Sequence, residues 1–275
     1  MQKERLPYKR IAAGIRAKKI AVGAAFCVAC ALSLVFLGDF HYYNGIERVS
    51  VGLGLHPLIV LAVIALEAVA AVILFSRAEK SADAIFDRDC DPLLYFRVRK
   101  ELMPLRDHET ALPLIELSTS YYLGDFAKCE KIAETVTGFS GAHDRLHGLS
   151  YRGLAAYFLG DRAALEVSRR DFDRLLERSG LKLRSPLRRD MDRRQKLLAM
   201  LALQMQDDAS AALSFADSLY IAEGDVPPID RLNILYLRAL TYEACGEHKK
   251  ARDCFDECRA IPNKTFISEK LNERQ

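Results

Sequence analysis

The sequence offers few signatures of chemistry. It has no phosphate loop of the Gly-x4-Gly-Lys type, no His-Glu-x-x-His and no Gly-x-Gly-x-x-Gly, which removes the usual anchors for nucleotide, metalloprotease and dinucleotide chemistry. Gly138-Phe139-Ser140-Gly141-Ala142 is one residue from a nucleophile elbow, with His143 close by. An elbow needs a strand before its turn, and this segment reads as the joint between two helices. No stretch alternates apolar and polar residues at a length useful for a strand, so the expected fold class is all-α. These absences argue against an enzyme: no catalytic residue, no cofactor and no metal is expected.

Charge is the next thing missing, and only locally. From Ile20 to Leu37 there is none in 18 residues, enough for a helix to cross a hydrocarbon core. From Val51 to Phe75 a second run is broken only by His56 and Glu67, with Pro57 in its first turn, where a missing N–H is tolerated. Two spans, about 20–38 and 55–75, joined by a short loop make a transmembrane helical hairpin over 20–75. Lys3, Arg5, Lys9, Arg10, Arg16, Lys18 and Lys19 precede it, Arg48 alone sits in the loop, and Arg77 and Lys80 follow. That bias puts the basic segment 1–19, the second span's far end and all that follows on the cytoplasmic side of a cell membrane. Phe40, Tyr42 and Tyr43 fall where aromatic rings sit at the opposite interface. A cleaved signal peptide is the rival reading of the first span, but the run exceeds the usual apolar core of such peptides. Glu67 is the intramembrane polar contact: an ionised carboxylate there costs about 2.5 to 3.5 kcal/mol, so it is expected to face protein, within the hairpin or across a homo-oligomer. Ala62, Ala65, Ala68 and Ala71 on one span and Gly23, Cys27 and Ala31 on the other are small enough for close helix contact.

Beyond the anchor, residues 76–107 read as connecting helices, one of them opened by Asp91 as N-cap and Pro92 in the first turn. Within 108–275, Leu235, Ala239 and Tyr242 recur at helical spacing, Gly246 breaks the run, and Ala251, Phe255 and Cys258 repeat the period before Pro262. Small Ala239 and Ala251 let two helices close on each other beside Tyr242 and Phe255. This spacing resembles a tetratricopeptide repeat, with Leu235 where the family prefers Trp and Pro262 one position early. One unit cannot bury its outer face, so neighbours are expected. Turns at Gly124, Gly160 and Asp207 supply three more, with 36, 47 and 39 residues between successive turns. Thr265 caps a last helix, Phe266 to Asn272, whose polar side would shield the final repeat.

The resemblance implies an α-solenoid whose first helices line a groove for an extended protein or peptide partner. Carried over position by position, the groove residues are Tyr121, His147, Ser150, Tyr157, Arg194, Gln204, Asn233, Tyr236 and Glu243. Tyr, Asn and Arg grip partners well. The Cys258 position wants a small buried residue, so packing explains it better than a zinc site shared with Cys245, His248 and Cys254. Cys27-Val-Ala-Cys30 has redox spacing inside a span, without a thioredoxin-like context. Asn263-Lys264-Thr265 is a glycosylation sequon by pattern only.

Residues 1 to 80 hold 10 Lys+Arg against 5 Asp+Glu, leaving 30 against 32 for residues 81 to 275, so the net positive charge belongs to the anchor. The one basic stretch downstream, Arg169 to Lys196, reads as a solvated face, with an acidic partner or lipid headgroups as the alternative. No nucleic-acid motif accompanies it. The sequence thus points to a membrane-anchored interaction adaptor or, as the alternative, an accessory subunit of a larger membrane complex or transporter assembled through its hairpin.

Overall fold

The computed structural model describes residues 7–37, 40–44, 47–51, 57–104, 107–180, 185–219 and 224–274, with the backbone alone for 40–44, 47–51 and 57. Expectations placed on Lys3, Arg5, His56, Lys182 and Arg184, and on the side chains of Phe40, Tyr42, Tyr43 and Arg48, lie outside the described residues. Two compact units divide the chain, Met1–Asp83 and Ala84–Gln275.

The first unit contains α1 (Pro7–Leu37), strands β1 (Phe40–Asn44) and β2 (Glu47–Val51), and most of α2 (Pro57–Asp87). Both helices are long and apolar enough to cross a membrane. Each has 31 residues, about 46 Å at 1.5 Å per residue, so each outruns a hydrocarbon core of about 30 Å. The basic residues Lys9 to Lys19 are therefore part of the same helix as the apolar run. Ile20 and Leu66 are 71% and 70% exposed, and most of the large apolar side chains along both helices are likewise uncovered by protein. That surface carries a large cost in water, and lipid removes it.

Between the two helices lies a short pair of strands, small enough to leave the all-α class in place. β1 and β2 pair antiparallel, Phe40 with Val51 and Asn44 with Glu47. Tyr42, Val49 and Val51 are strand formers, and Asn44-Gly45 is a strong short-range hairpin signal. The segment is short, which is why hydropathy alone passes over it.

The second unit begins with the last turn of α2, then α3 (Pro92–Leu102), four helix pairs, and α12 (Phe266–Asn272). The Asp91 carboxylate accepts from the Leu94 N–H, as its capping position requires. The pairs are α4 (Ala111–Tyr122) with α5 (Phe126–Thr137), α6 (Ala142–Leu159) with α7 (Arg162–Arg178), α8 (Pro186–Gln204) with α9 (Ala209–Ser218), and α10 (Pro228–Ala244) with α11 (His248–Arg259). Each pair turns at a left-handed residue: Gly124, Gly160, Asp207 or Gly246. The following N–H reaches back five residues to a helix carbonyl in every case, Asp125 to Ser120, Asp161 to Ala156, Asp208 to Leu203 and Glu247 to Tyr242. That bond ends one helix and aims the next.

Successive helices pack in sequence, and α4 also lies on α6, α6 on α8, and α8 on α10. Small residues permit these approaches. A Cβ at Gly153 would come within 2.6 Å of Leu198 and 3.4 Å of Leu165 and Ser168. Leu117, at a position where the repeat pattern favours a small side chain, is fully buried all the same.

The C-terminal helix does more than cover the last pair. Phe266, Ile267 and Leu271 are buried, and the Phe266 ring lies 6.0 Å from Tyr121, 5.1 Å from Phe126, 5.2 Å from Phe158 and 5.8 Å from Tyr236. One side chain thereby touches the first, second and fourth pairs. Just before it, Lys264 donates its backbone N–H to the Cys90 carbonyl and its ammonium, at 2.7 Å, to Asp91. The two ends of the second unit meet.

Candidate functional site

The inner face of α4, α6, α8 and α10 holds the nine residues expected to line a groove, and their partners come from this same chain. Tyr121 is fully buried and donates to Asn233 Oδ1 at 2.6 Å, across 112 residues of sequence. Ser150, also buried, accepts from Arg194 at 3.4 Å. Gln204 donates to the Tyr157 hydroxyl at 3.0 Å and accepts from Thr241 at 2.8 Å. Tyr236 is buried among the rings of Phe158, Phe255 and Phe266. Glu243 is exposed at the rim and takes both contacts, 2.6 and 2.8 Å, from one Arg274 nitrogen. His147 shares a proton position with His143, their Nε2 atoms 3.1 Å apart, and stacks on Tyr151.

Arg194 organises the polar centre. It donates from Nε to Asp190 at 3.0 Å and lies over the Tyr151 ring at 5.3 Å. Burial opposes its charge, but Tyr151, Asp190 and Asp230 outweigh that and hold the guanidinium above its ordinary value. Burial likewise works against ionisation of Asp190, and Arg194 overcomes it, leaving that carboxyl below its ordinary range. Asp230 goes the other way: burial raises it more than Arg194 lowers it. Burial pushes His147 down to about 3, helped by Arg194 and His143. Burial also raises the Tyr121 and Tyr157 phenols and lifts Tyr236 to about 12. The face is thus a set of mostly satisfied hydrogen bonds around one fixed cation, with accessible groups at its margin in Tyr157, Gln204 and Glu243.

Sequence reasoning missed Tyr151, Asp190, Asp230 and Thr241 in this network, and Phe266 at its centre. The helical period of α6 runs through Tyr151 directly, at i+4 from His147. Asp230 and Phe266 enter from distant segments and leave no local trace.

Elsewhere, Cys258 points at the Leu232 carbonyl and Cys245 at that of Ala209. Burial raises Cys258 to about 12 and also raises Cys254, which favours the thiol form. Ser140 stands between α5 and α6 with a helix before it. Asn263 is committed to the Ile261 carbonyl and to Thr265.

In the first unit, Glu67 accepts from the Ser33 hydroxyl at 2.6 Å, and its Oε2 is shielded from solvent without a hydrogen-bond partner. Lys19 and Glu79 pair at 2.6 Å, and Gly23 faces Phe75. Cys27 and Ala31 are exposed, so the α1 contact face runs through Lys19, Gly23 and Ser33 instead of following the fourth-residue spacing. Beside Glu67 a cleft of about 410 Å³ is walled mainly by alanines, Ala21, Ala25 and Ala29 opposite Ala70 and Ala71.

No family model, curated protein or solved structure matches this chain.

Proposed function

We propose that the chain is a membrane-anchored interaction adaptor: α1 and α2 cross the bilayer, and the helix pairs, read as divergent tetratricopeptide-like repeats, hold a protein or peptide segment at the cytoplasmic face. The observation that carries this reading is the division of apolar surface. Exposed along α1 and α2 and buried in Ala84–Gln275, it makes one part of the chain fit lipid and the other an independent water-facing body. The lysines and arginines of the first helical turns of α1, against Arg48 alone between the helices, support the cytoplasmic orientation. Tethering raises the local concentration of the inner face without demanding high intrinsic affinity. A partner segment would enter at the rim, where Tyr157, Gln204 and Glu243 remain accessible beside α12.

The test places a photocrosslinking residue at Glu243 of the full chain in its own membranes. An adaptor gives one discrete protein adduct, and residues 84–275 produced alone stay folded and give it too. Absence of an adduct from every rim position sinks the adaptor.

A second reading, a subunit assembled through the hairpin, is favoured by the unpartnered Glu67 Oε2 beside its alanine-walled cleft. There, loss of residues 1–83 abolishes all adducts, and Glu67→Leu changes the mass of the detergent-extracted particle. An unchanged mass removes assembly through Glu67.

A further inference from the structure

Away from the inner face, a cleft of about 440 Å³ lined by α6 and α7, with Thr137 of α5, gathers Arg145, Arg152, Arg174 and Arg178 around the single acid Asp171. Asp171 already belongs to Arg174, at 3.5 Å. Several neighbouring arginines are matched: Arg169 holds Glu166 and Asp173, Arg188 holds Asp192, and Arg193 and Arg194 share Asp190. By contrast Arg145, Arg152 and Arg178 meet no carboxylate among the described residues, and the Nε of Arg152 is hidden from water with no acceptor at all.

Like charges brought together repel, and a shielded charged donor without an acceptor is costly, so such a cluster fits a site whose counter-ion comes from outside. The geometry narrows the ligand. Three guanidinium forks from two helices call for a group with more than one negative charge and several oxygens in three dimensions. A phosphate monoester satisfies that, and a single carboxylate does not. Two leucines in the wall, Leu149 and Leu175, give the carbon skeleton of an ester an apolar surface.

We propose that this cleft binds a phosphate monoester, presented by a phospholipid headgroup or by a soluble phosphorylated molecule. It is separate from the adaptor reading, and neither stands on the other.

The full chain in neutral detergent is titrated calorimetrically with inorganic phosphate and, separately, with a water-soluble short-chain phosphatidylinositol monophosphate. Saturable binding of either probe, weakened about tenfold or more by Arg152→Gln, is expected. The exposed pair Arg145→Gln and Arg178→Gln should weaken it similarly, which keeps the test open if Arg152→Gln fails to fold. Arg189→Gln, exposed on α8 outside the cleft, should change affinity by less than about twofold. Tighter binding of the lipid analogue identifies a headgroup, and equal binding identifies a soluble ligand. No saturable binding by either probe, or a loss with Arg189→Gln as large as with Arg152→Gln, overturns the site.

Discussion

At each of the four turns between paired helices, the residue after the left-handed one begins the next helix, and three of these four residues are aspartates that cap it. Asp125, Asp161 and Asp208 accept from Lys128, Ala164 and Ala211 at 3.2, 2.9 and 3.1 Å. Glu247 occupies the same place with nearly the same backbone angles and makes no side-chain cap, because one extra methylene carries its carboxylate past the N–H groups. Glu247→Asp is therefore expected to stabilise the chain by about 0.5 to 1 kcal/mol, measured as a rise in the urea midpoint at constant slope. His147 yields a second expectation. Faced by Arg194, His143 and Asp190, it stays neutral in the folded chain down to about pH 3, while an unfolded histidine takes up its proton near 6.5. Between those values the unfolded chain binds more protons, so acidification removes stability, by at most about 1.4 kcal/mol per pH unit from this group, and above 6.5 the group contributes nothing. His147→Gln should flatten the loss between pH 6.5 and 5; an unchanged slope would show that the imidazole is not desolvated. The turn residues Gly124, Gly160, Asp207 and Gly246 could be read from sequence because a left-handed residue after a helical run is a local demand. The state of His147 could not, since Arg194 lies 47 positions away.

Among elements, α6 and α8 meet closely at Gly153. Gly153 has Leu198 where a side chain would begin, so Gly153→Val should cost about 2 kcal/mol despite a helix propensity no worse than glycine's. Adding Leu198→Ala should make the two changes together cost less than their sum, and a strictly additive pair would place the strain elsewhere. The starts of α3 and α12 were legible, since Asp91-Pro92 and Thr265 write capping chemistry directly into the chain, and both side chains accept the bonds that capping requires; α1 and α2 instead run about a dozen residues past the apolar stretches that marked them. The strands at Phe40–Asn44 and Glu47–Val51 were missed because five residues between two long apolar helices carry too little period to stand out. On α1 the presence of small residues was legible and the contact face was not. A helix that is apolar all round lacks the polar stripe that normally marks the outer surface.

For the second unit as a whole, the question is whether its helix pairs behave as a row or as a closed body. In an open row each pair leans only on its neighbours, and damage at one end stays there. Here Phe266 touches Tyr121 and Phe126 of the first pair, Phe158 of the second and Tyr236 of the last, while Tyr121 bonds Asn233 and Lys264 holds Asp91. None of these pairings is written in local periodicity, which is why the helix pairs were visible in the sequence and their closure was not. Phe266→Ala should cost about 3 kcal/mol, the range for a large side chain removed from a packed site. The more decisive readout is where that loss appears. Closure predicts that amide exchange in α4, around Tyr121 and Tyr122, accelerates together with that in α10 and α11, and that unfolding stays a single transition. If α4 keeps its protection while only the last pair loosens, the contacts across Phe266 do not couple the ends, and the unit is an open row with its C-terminal helix resting on it.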